Sequence, residues 1–542
     1  MLTFATAMNT KHLLLGDEAL ALGALHAGLS GAYAYPGTPS TEILEYIAAQ
    51  PLTRERGIHA RWSSNEKTAV EAALGMSYAG RRAIVSMKHV GVNVAADAIV
   101  NSAMTGANGG LLIVAADDPS MHSSQNEQDS RFYAQFAMLP LLEPSTQQEA
   151  YDMAASGFEL SERYKIPVMV RMVTRLAHSR ANVESSDTPA EQNEVRFPEN
   201  PRQWVLMPAN SRARNEALIA DYRRMAEESE TSPFNAYHEG SDRSLGVIAS
   251  GIAANYFEEV MPKDGSMPWV KIGQYPLPEK MIRRLFDECD SVIVIEEGQP
   301  VIEPALRGIL PSEYKIYGKL DNTLPRTGEL TPDAVRRALS ALAPGRVAAP
   351  AESYPASQVV VPRPPALCQG CGHRDVYAAL LSALAAYEAP RVFGDIGCYT
   401  LGYLSPFNAI HTCLDMGASI TMAKGAADAG VHPSVAIIGD STFTHSGMTG
   451  LLDAINENSP ITVIISDNLT TGMTGGQDSQ GTGKIEQICI GLGADPAHVV
   501  TIDSLPKNHD EMTAMLRREM DYQGLSVVVA RRECIQTARR KK

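Results

Sequence analysis

Two apolar, β-branched runs that each end on a polar residue constrain this chain more than any other feature. Residues 434–440 read Ser-Val-Ala-Ile-Ile-Gly-Asp, and residues 461–468 read Ile-Thr-Val-Ile-Ile-Ser-Asp-Asn. Runs of this kind are buried parallel strands, apolar on both faces. A helix-like segment, 449–456, carries the chain from one to the other, so the unit is strand, crossover and strand. Asp440 and Asn468 therefore arrive at neighbouring strand ends, although 28 positions separate them. Ligands of α/β sheets bind at that carboxyl edge. Gly439-Asp440-Ser441 and Asn468-Leu469-Thr470 together offer a carboxylate, an amide oxygen and a backbone carbonyl at Thr470. Those are donors for Mg²⁺, which takes oxygen ligands and also accepts phosphate oxygens. The constellation reads as a cradle for a metal-bound diphosphate. The competing reading is a strand-end aspartate that merely caps the next helix.

Composition narrows the class. A chain of 542 residues has room for three domains with ample core. Its formal charge of −15 argues against nucleic acid or an anionic membrane as the main partner. No run approaches the roughly 18 apolar residues of a membrane span. The amino terminus lacks a basic segment followed by a long apolar core, so export is not expected. Seven cysteines in a chain this long do not make a disulfide framework, and a reducing cytoplasm is the expected setting.

The pattern of elements is α/β throughout. Strand-like runs at 83–87, 110–116 and 166–173 alternate with helical ones, the signature of a parallel sheet. The polar stretch 182–201, rich in Glu, Ser, Asn and Pro, reads as a linker. A second α/β unit has buried strands at 245–251 and 291–298. Residues 343–365, with Pro, Ala and Val and little periodicity, mark another boundary. The remainder carries four strong strand candidates, including 526–530. The expected division is 1–190, 191–345, a linker at 346–365, and 366–542. The basic end, Arg539-Arg540-Lys541-Lys542, reads as a solvated tail.

Cys368-Gln-Gly-Cys371-Gly-His is a Cys-x-x-Cys turn whose glycines let backbone amides face the sulfurs. Zinc, a redox dithiol and a merely structural turn all remain open for it.

Taken together, the motifs resemble those of the thiamine diphosphate enzymes. The likeness is strongest to the large subunit of indolepyruvate ferredoxin oxidoreductase. It rests on Tyr35-Pro-Gly-Thr-Pro-Ser-Thr-Glu42, Asn65-Glu-Lys67, Met87-Lys-His-Val-Gly-Val-Asn93 and the run from His122 to Arg131. In the last region it rests on Gly394-Asp-Ile-Gly-Cys-Tyr-Thr-Leu-Gly402, Asp415-Met-Gly-Ala-Ser419, Gly439-Asp-Ser-Thr-Phe-Thr-His445 and Thr470-Thr-Gly-Met-Thr-Gly-Gly-Gln477. The resemblance implies a pyrimidine-type and a pyrophosphate-type parallel-sheet domain, joined by a transketolase-C-terminal-like α/β domain. Asp440, Asn468 and Thr470 would hold Mg²⁺, with Gly439 and Ser441 beside the diphosphate. Met416 and Gly417 would support the aminopyrimidine, Gly417 by allowing close backbone approach.

Glu66 would be the carboxylate that hydrogen-bonds the pyrimidine ring; from the residues alone it is an ordinary acid at a helix start. Thr38 would donate to the substrate carboxylate, although the same turn also reads as one ending in a helix cap at Ser40 or Thr41. Lys88 and His89 would bring positive charge to the substrate carboxylate or a proton to the reacting carbon, and His122 and His445 are weaker candidates. The resemblance also assigns Cys368, Cys371, Cys398 and Cys534 to a [4Fe-4S] cluster, whereas Cys289, Cys413 and Cys489 do not match. The implied activity is oxidative decarboxylation of an aryl 2-oxoacid, indolepyruvate or phenylpyruvate, to the acyl-CoA. The sequence departs from the family in having no Cys-x-x-Cys-x-x-Cys-x-x-x-Cys-Pro run. Electrons are therefore expected to leave through a small partner subunit, ferredoxin or another carrier, in a hetero-oligomer with two copies of each subunit. Non-oxidative decarboxylation or ligation, and a non-catalytic scaffold of the same fold, are the alternatives.

Overall fold

A computed structural model describes residues 9–541 except 187, 264, 310–313 and 351–356. The chain divides into two units, Met1–Pro355 and Ala356–Lys542, and each is described by itself. The first unit holds two of the three large sheets. One has seven strands in the order Gln274–Tyr275, Leu141–Leu142, Val168–Val173, Leu111–Asp117, Ala83–Lys88, Gly31–Ala34 and His59–Trp62. All neighbours are parallel except the edge strand Gln274–Tyr275. Both faces are covered, which is why its central strands are apolar at every position rather than alternately. Ile84, Leu112 and Val114 pack with helices Gly16–His26, Thr41–Ala49 and Gln147–Tyr164. Val85, Met87 and Ile113 pack on the other side with helices Glu66–Tyr78 and His89–Thr105.

The second sheet of this unit has five strands, Ile316–Tyr317, Val292–Ile295, Gly246–Ser250, Trp269–Ile272 and Ala236–His238, parallel but for the last. The segment 182–201 is only partly the linker that its polarity implies. Arg180–Ser186 is a strand, paired antiparallel with Asn9–Leu15 from Asn9↔Ser186 to Leu15↔Arg180. Val183 is buried while its neighbours Asn182 and Glu184 are not, so one inward residue in two suffices to hold an otherwise polar strand. Helix Pro208–Ser229 also belongs with the first sheet, because Leu218 and Met225 enter the same core as Val92 and Ile99.

The second unit is one sheet of six parallel strands, in the order Thr412–Cys413, Arg391–Gly394, Ser434–Gly439, Ile461–Asp467, Ser526–Arg531 and Val499–Asp503. Helices Gly372–Leu384 and His509–Asp521 cover one face, and Ala418–Asp428 and Met448–Asn456 the other. Among the described residues, no helix is long and apolar enough to cross a membrane.

Candidate active site

In the six-stranded sheet, Ser434 pairs with Ile461 and Gly439 with Ser466, so the two strands end level at the carboxyl edge. The helix after Gly439 begins at Asp440 itself, earlier than 449. Residues Phe443–Gly447 form a π-helical turn before Met448–Asn456 continues, and such turns are common at functional sites. Asp440 is 2 % exposed, and its Oδ2 has no hydrogen-bond partner. Burial, and next the charge of Asp467, push its carboxyl up to about 7. Leu469 takes a left-handed φ of 63° and turns the second strand end. The Asn468 side-chain oxygen accepts from the Thr470 amide at 3.2 Å. The Thr470 hydroxyl donates to the Gln477 carbonyl at 2.9 Å. Ser441 and Thr471 hydroxyls lie 2.8 Å apart and tie the two strand ends together.

Gly417 precedes helix Ala418–Asp428 at φ 102°, and a Cβ there would fall 2.7 Å from the Ser446 side chain. A Cβ on Gly439 would fall 2.7 Å from the Tyr399 ring. Met416 beside Gly417 is half-buried. Asp395, not singled out by sequence, ends the adjacent strand and accepts from the Ser419 amide and hydroxyl at 2.8 and 2.6 Å. Burial raises its carboxyl to about 7 despite those bonds. The signal available was Gly394-Asp395, a second strand ending in Gly-Asp beside Gly439-Asp440.

Cys368, Cys371, Cys398 and Cys534 line one cavity of about 100 Å³ together with Asn468 and His373. Gly370, at φ 79°, closes the Cys-x-x-Cys turn, and the Cys371 amide donates to the Cys368 carbonyl at 3.1 Å. Cys371 and Cys534 stand at the N-caps of helices Gly372–Leu384 and Ile535–Arg540, and Cys398 opens a helical turn. Helix starts favour negative charge on sulfur. Burial first, then the three neighbouring sulfurs, push the Cys398 thiol up to about 12, and burial followed by Cys368 and Cys534 raises Cys371. No three of these sulfurs lie within 4.8 Å of one another. The Cys534 amide donates to the Asn468 carbonyl at 3.1 Å, so the thiol cavity and the Asp440–Asn468 edge share a backbone bond. His373, missed by sequence although it follows Cys371-Gly372, is 4 % exposed, and burial lowers it to about 4. Its Nε2 lies 3.5 Å from Asn468 Nδ2. Cys289 and Cys489 are buried in apolar cores, and the Cys413 thiol points to the Asp395 carbonyl.

The seven-stranded sheet brings a second set to its own carboxyl edge. Thr38 follows the strand Gly31–Ala34, Glu66 follows His59–Trp62, and Lys88 ends Ala83–Lys88 with His89 next, three strands that are neighbours. Glu66 opens helix Glu66–Tyr78, whose N-cap Asn65 and Thr68 exchange side-chain to backbone bonds at 2.9 and 3.3 Å. Glu66 is nevertheless 6 % exposed, packed against Gly91, where a Cβ would fall 2.6 Å from Glu66 Oε1. Thr38 is half-buried, on a turn whose Gly37 lies against Lys88. Ser40 does not cap the next helix with its side chain: its hydroxyl donates to the Gly37 carbonyl at 2.8 Å. Burial lowers the Lys88 ammonium, which donates to the Ser123 carbonyl. His89 is 1 % exposed; Nε2 lies 3.2 Å from the Asn126 carbonyl and Nδ1 has no partner. His122 is half-exposed and 3.4 Å from Glu329. His445 is buried, with Nδ1 2.6 Å from Ser446 Oγ.

Both edges have counterparts in known families. Residues 22–241 match the family model described as pyruvate flavodoxin/ferredoxin oxidoreductase, thiamine diP-bdg. Residues 395–530 match that of the thiamine pyrophosphate enzyme, C-terminal TPP binding domain. The chain is 38 % identical to indolepyruvate oxidoreductase subunit IorA of Archaeoglobus fulgidus, over 97 % of this chain and 87 % of that protein. It is also 38 % identical to the subunit of that name from Pyrococcus abyssi, over 96 % and 85 %. In fold it is similar to the 2-oxoglutarate:ferredoxin oxidoreductase of Magnetococcus marinus, at a TM-score of 0.50 and 17 % identity, over 61 % of this chain and 65 % of that one. A match to a thiamine diphosphate-binding family model in each unit and this identity along nearly the whole length lead to one conclusion: the chain belongs to the indolepyruvate oxidoreductase subunit IorA family of thiamine diphosphate-dependent oxidoreductases.

Proposed function

We propose that the protein is the catalytic subunit of an enzyme that oxidatively decarboxylates an aryl 2-oxoacid, of the indolepyruvate or phenylpyruvate type, to the acyl-CoA. Asp440, Asn468 and the Thr470 carbonyl would hold Mg²⁺, with Gly439 and Ser441 against the diphosphate. An unpartnered buried carboxylate oxygen is what such a site requires, because a hard cation removes the cost of burying it. Gly417 and Met416 would support the aminopyrimidine, and Glu66 would hydrogen-bond its ring nitrogen. When bound, thiamine diphosphate supplies the electron sink at the carbon that loses CO₂. Glu66 would hold the proton that sets the pyrimidine tautomer, kept from water by its burial against Gly91. Thr38 would donate to the substrate carboxylate, and Lys88 and His89 would supply positive charge to that carboxylate or a proton at the reacting carbon.

The observation that carries the oxidative reading is the thiol cavity bonded to the Asn468 strand end. A tetrahedral zinc with Zn–S bonds of about 2.3 Å needs sulfurs roughly 3.8 Å apart. The sulfurs here are more widely spread, which favours a larger [4Fe-4S] cluster on Cys368, Cys371, Cys398 and Cys534. Electrons would pass from it to ferredoxin or another carrier, and a small partner subunit would complete a hetero-oligomer. The test is iron and sulfide analysis of the anaerobically purified protein with its partner, followed by electron paramagnetic resonance. About four iron and four sulfide per chain, and a signal that appears on adding indolepyruvate and coenzyme A, are expected. Iron-free protein that releases aldehyde would replace this reading with non-oxidative decarboxylation.

A further inference from the structure

Among the described residues outside those assigned so far, one group of ligand atoms converges in the first unit. Asp17, Glu42 and His178 bring two carboxylate oxygens and one imidazole nitrogen within 4.8 Å of one another. Three helix ends supply them. Asp17 is the second residue of Gly16–His26, Glu42 the second of Thr41–Ala49, and His178 the last of Thr174–His178. Gly16 makes the approach possible, since a Cβ there would fall 2.3 Å from the Leu176 carbonyl oxygen.

Asp17 is the unusual member. It is 0 % exposed, and neither of its carboxylate oxygens has a hydrogen-bond partner. Buried polar groups are nearly always satisfied, and a bare buried carboxylate is costly. Glu42 Oε2 lies 3.5 Å from His178 Nε2, and this pairing, against the opposing effect of burial, holds the Glu42 carboxyl below its ordinary value. Burial, and next the charge of Glu42, hold the Asp17 carboxyl well above the usual carboxylate range. Either a proton or a cation relieves such a group. A proton on Asp17 would leave it beside a Glu42–His178 pair that engages neither of its oxygens. A cation uses all three. Two carboxylates and an imidazole suit divalent first-row metals, and the side chain of His178, 33 % exposed, leaves a route for solvent to complete the coordination.

We propose that Asp17, Glu42 and His178 form a binding site for a divalent first-row cation that ties these three helix ends together. The site stands apart from the thiamine diphosphate reading, which uses none of the three. Its occupancy would act on that reading's residues only through position, because Glu42 lies in the first turn of the helix that follows Thr38.

Mn²⁺ is the probe of choice, since thiolates select softer metals and leave it to oxygen and imidazole sites. The full chain, stripped with chelator and kept free of thiamine diphosphate, is titrated while free Mn²⁺ is read by electron paramagnetic resonance. Wild type is expected to bind one Mn²⁺ more than H178A, E42Q or D17N. Any binding at Asp440 is common to all four proteins and cancels. Mn²⁺ should also raise the thermal midpoint of wild type by more than that of H178A. Should D17N fail to fold, H178A and E42Q alter the more accessible ligands and carry the test. Equal stoichiometry in wild type and these two variants overturns the proposal. So does a D17N protein more stable than wild type with unchanged Mn²⁺ binding, which marks a buried proton in place of a cation.

Discussion

Asp440 shows what burial does to a single acid whose Oδ2 has no hydrogen-bond partner. Its carboxyl is held at about 7 against an ordinary value of 3.8, chiefly by burial. Asp467 adds repulsion although Arg531 pairs with it at 2.7 Å. Between about pH 4 and pH 7 the folded chain therefore keeps a proton that the unfolded chain has released. The stability tied to that proton is fully present below about pH 4 and lost as pH rises through about 7. Each pKa unit corresponds to about 1.4 kcal/mol, so after relaxation D440N should exceed wild type in stability by about 1–3 kcal/mol at pH 7.5 and lose the advantage at pH 4. Urea titrations of the cofactor-free proteins at both pH values check this. Asp395 titrates in the same window, so some slope will remain in D440N. On the proposed function, Mg²⁺ with thiamine diphosphate should reverse the order at pH 7.5, because only the wild-type carboxylate would hold the cation. An unchanged pH slope in D440N would remove Asp440 as its source.

At the scale of elements, the placement of Glu66 depends on two helices crossing closely. Helix His89–Thr105 carries Gly91 where any side chain would strike Glu66, at 2.6 Å from both Cγ and Oε1. Alanine at a helix interior position ordinarily stabilises by up to about 1 kcal/mol relative to glycine. Here that gain is available only if Glu66 moves. G91A is therefore expected to keep the thermal midpoint within a few degrees while turnover falls at least as far as tenfold, with E66Q giving a similar or larger loss. Steady-state rates with indolepyruvate as trial substrate measure it, and a fully active G91A would show that Glu66 is free to reposition. The edge motifs themselves were readable because a strand, its terminal residue and the next helix are contiguous in sequence. Gly439-Asp440 and Asn468 are of this kind. Gly91 was not, since the reason for a glycine inside a helix lies in a different helix. Arg180–Ser186 was misread for a related reason: a two-stranded edge pair buries too few residues to print an apolar pattern.

Across the first unit, the two sheets are joined by charge as well as by apolar contact. Arg131 pairs with Asp129 at 2.6 Å and with Glu296, just past a strand of the five-stranded sheet, at 3.0 Å. Arg171, within the seven-stranded sheet, pairs with Asp117 at 2.6 Å and Asp129 at 3.2 Å and also meets Glu143. All six side chains are at most 3 % exposed. Burial pushes Asp129 up, but the two guanidinium groups outweigh it and hold it at about 2. Burial prevails at Asp117, which is raised. The run from His122 to Arg131 was visible in sequence, but its structural part was not, because Glu296 lies 165 positions further on. Asp117 also ends the strand next to the one bearing Lys88 and His89, so the network underlies the edge that carries them. Such a network contributes little net stability over an apolar replacement of the whole, yet removing one partner strands the others. R171M keeps the stem volume and deletes the charge, leaving Asp117 without its guanidinium partner in the interior, while Glu143 keeps Arg131 and the Tyr275 hydroxyl. It should cost about 3–5 kcal/mol in urea unfolding. D117N combined with R171M should recover part of that loss, since it removes the stranded charge. If the double variant is no more stable than R171M alone, the loss comes from packing around the arginine stem and the ionic joint is not what holds the two sheets together.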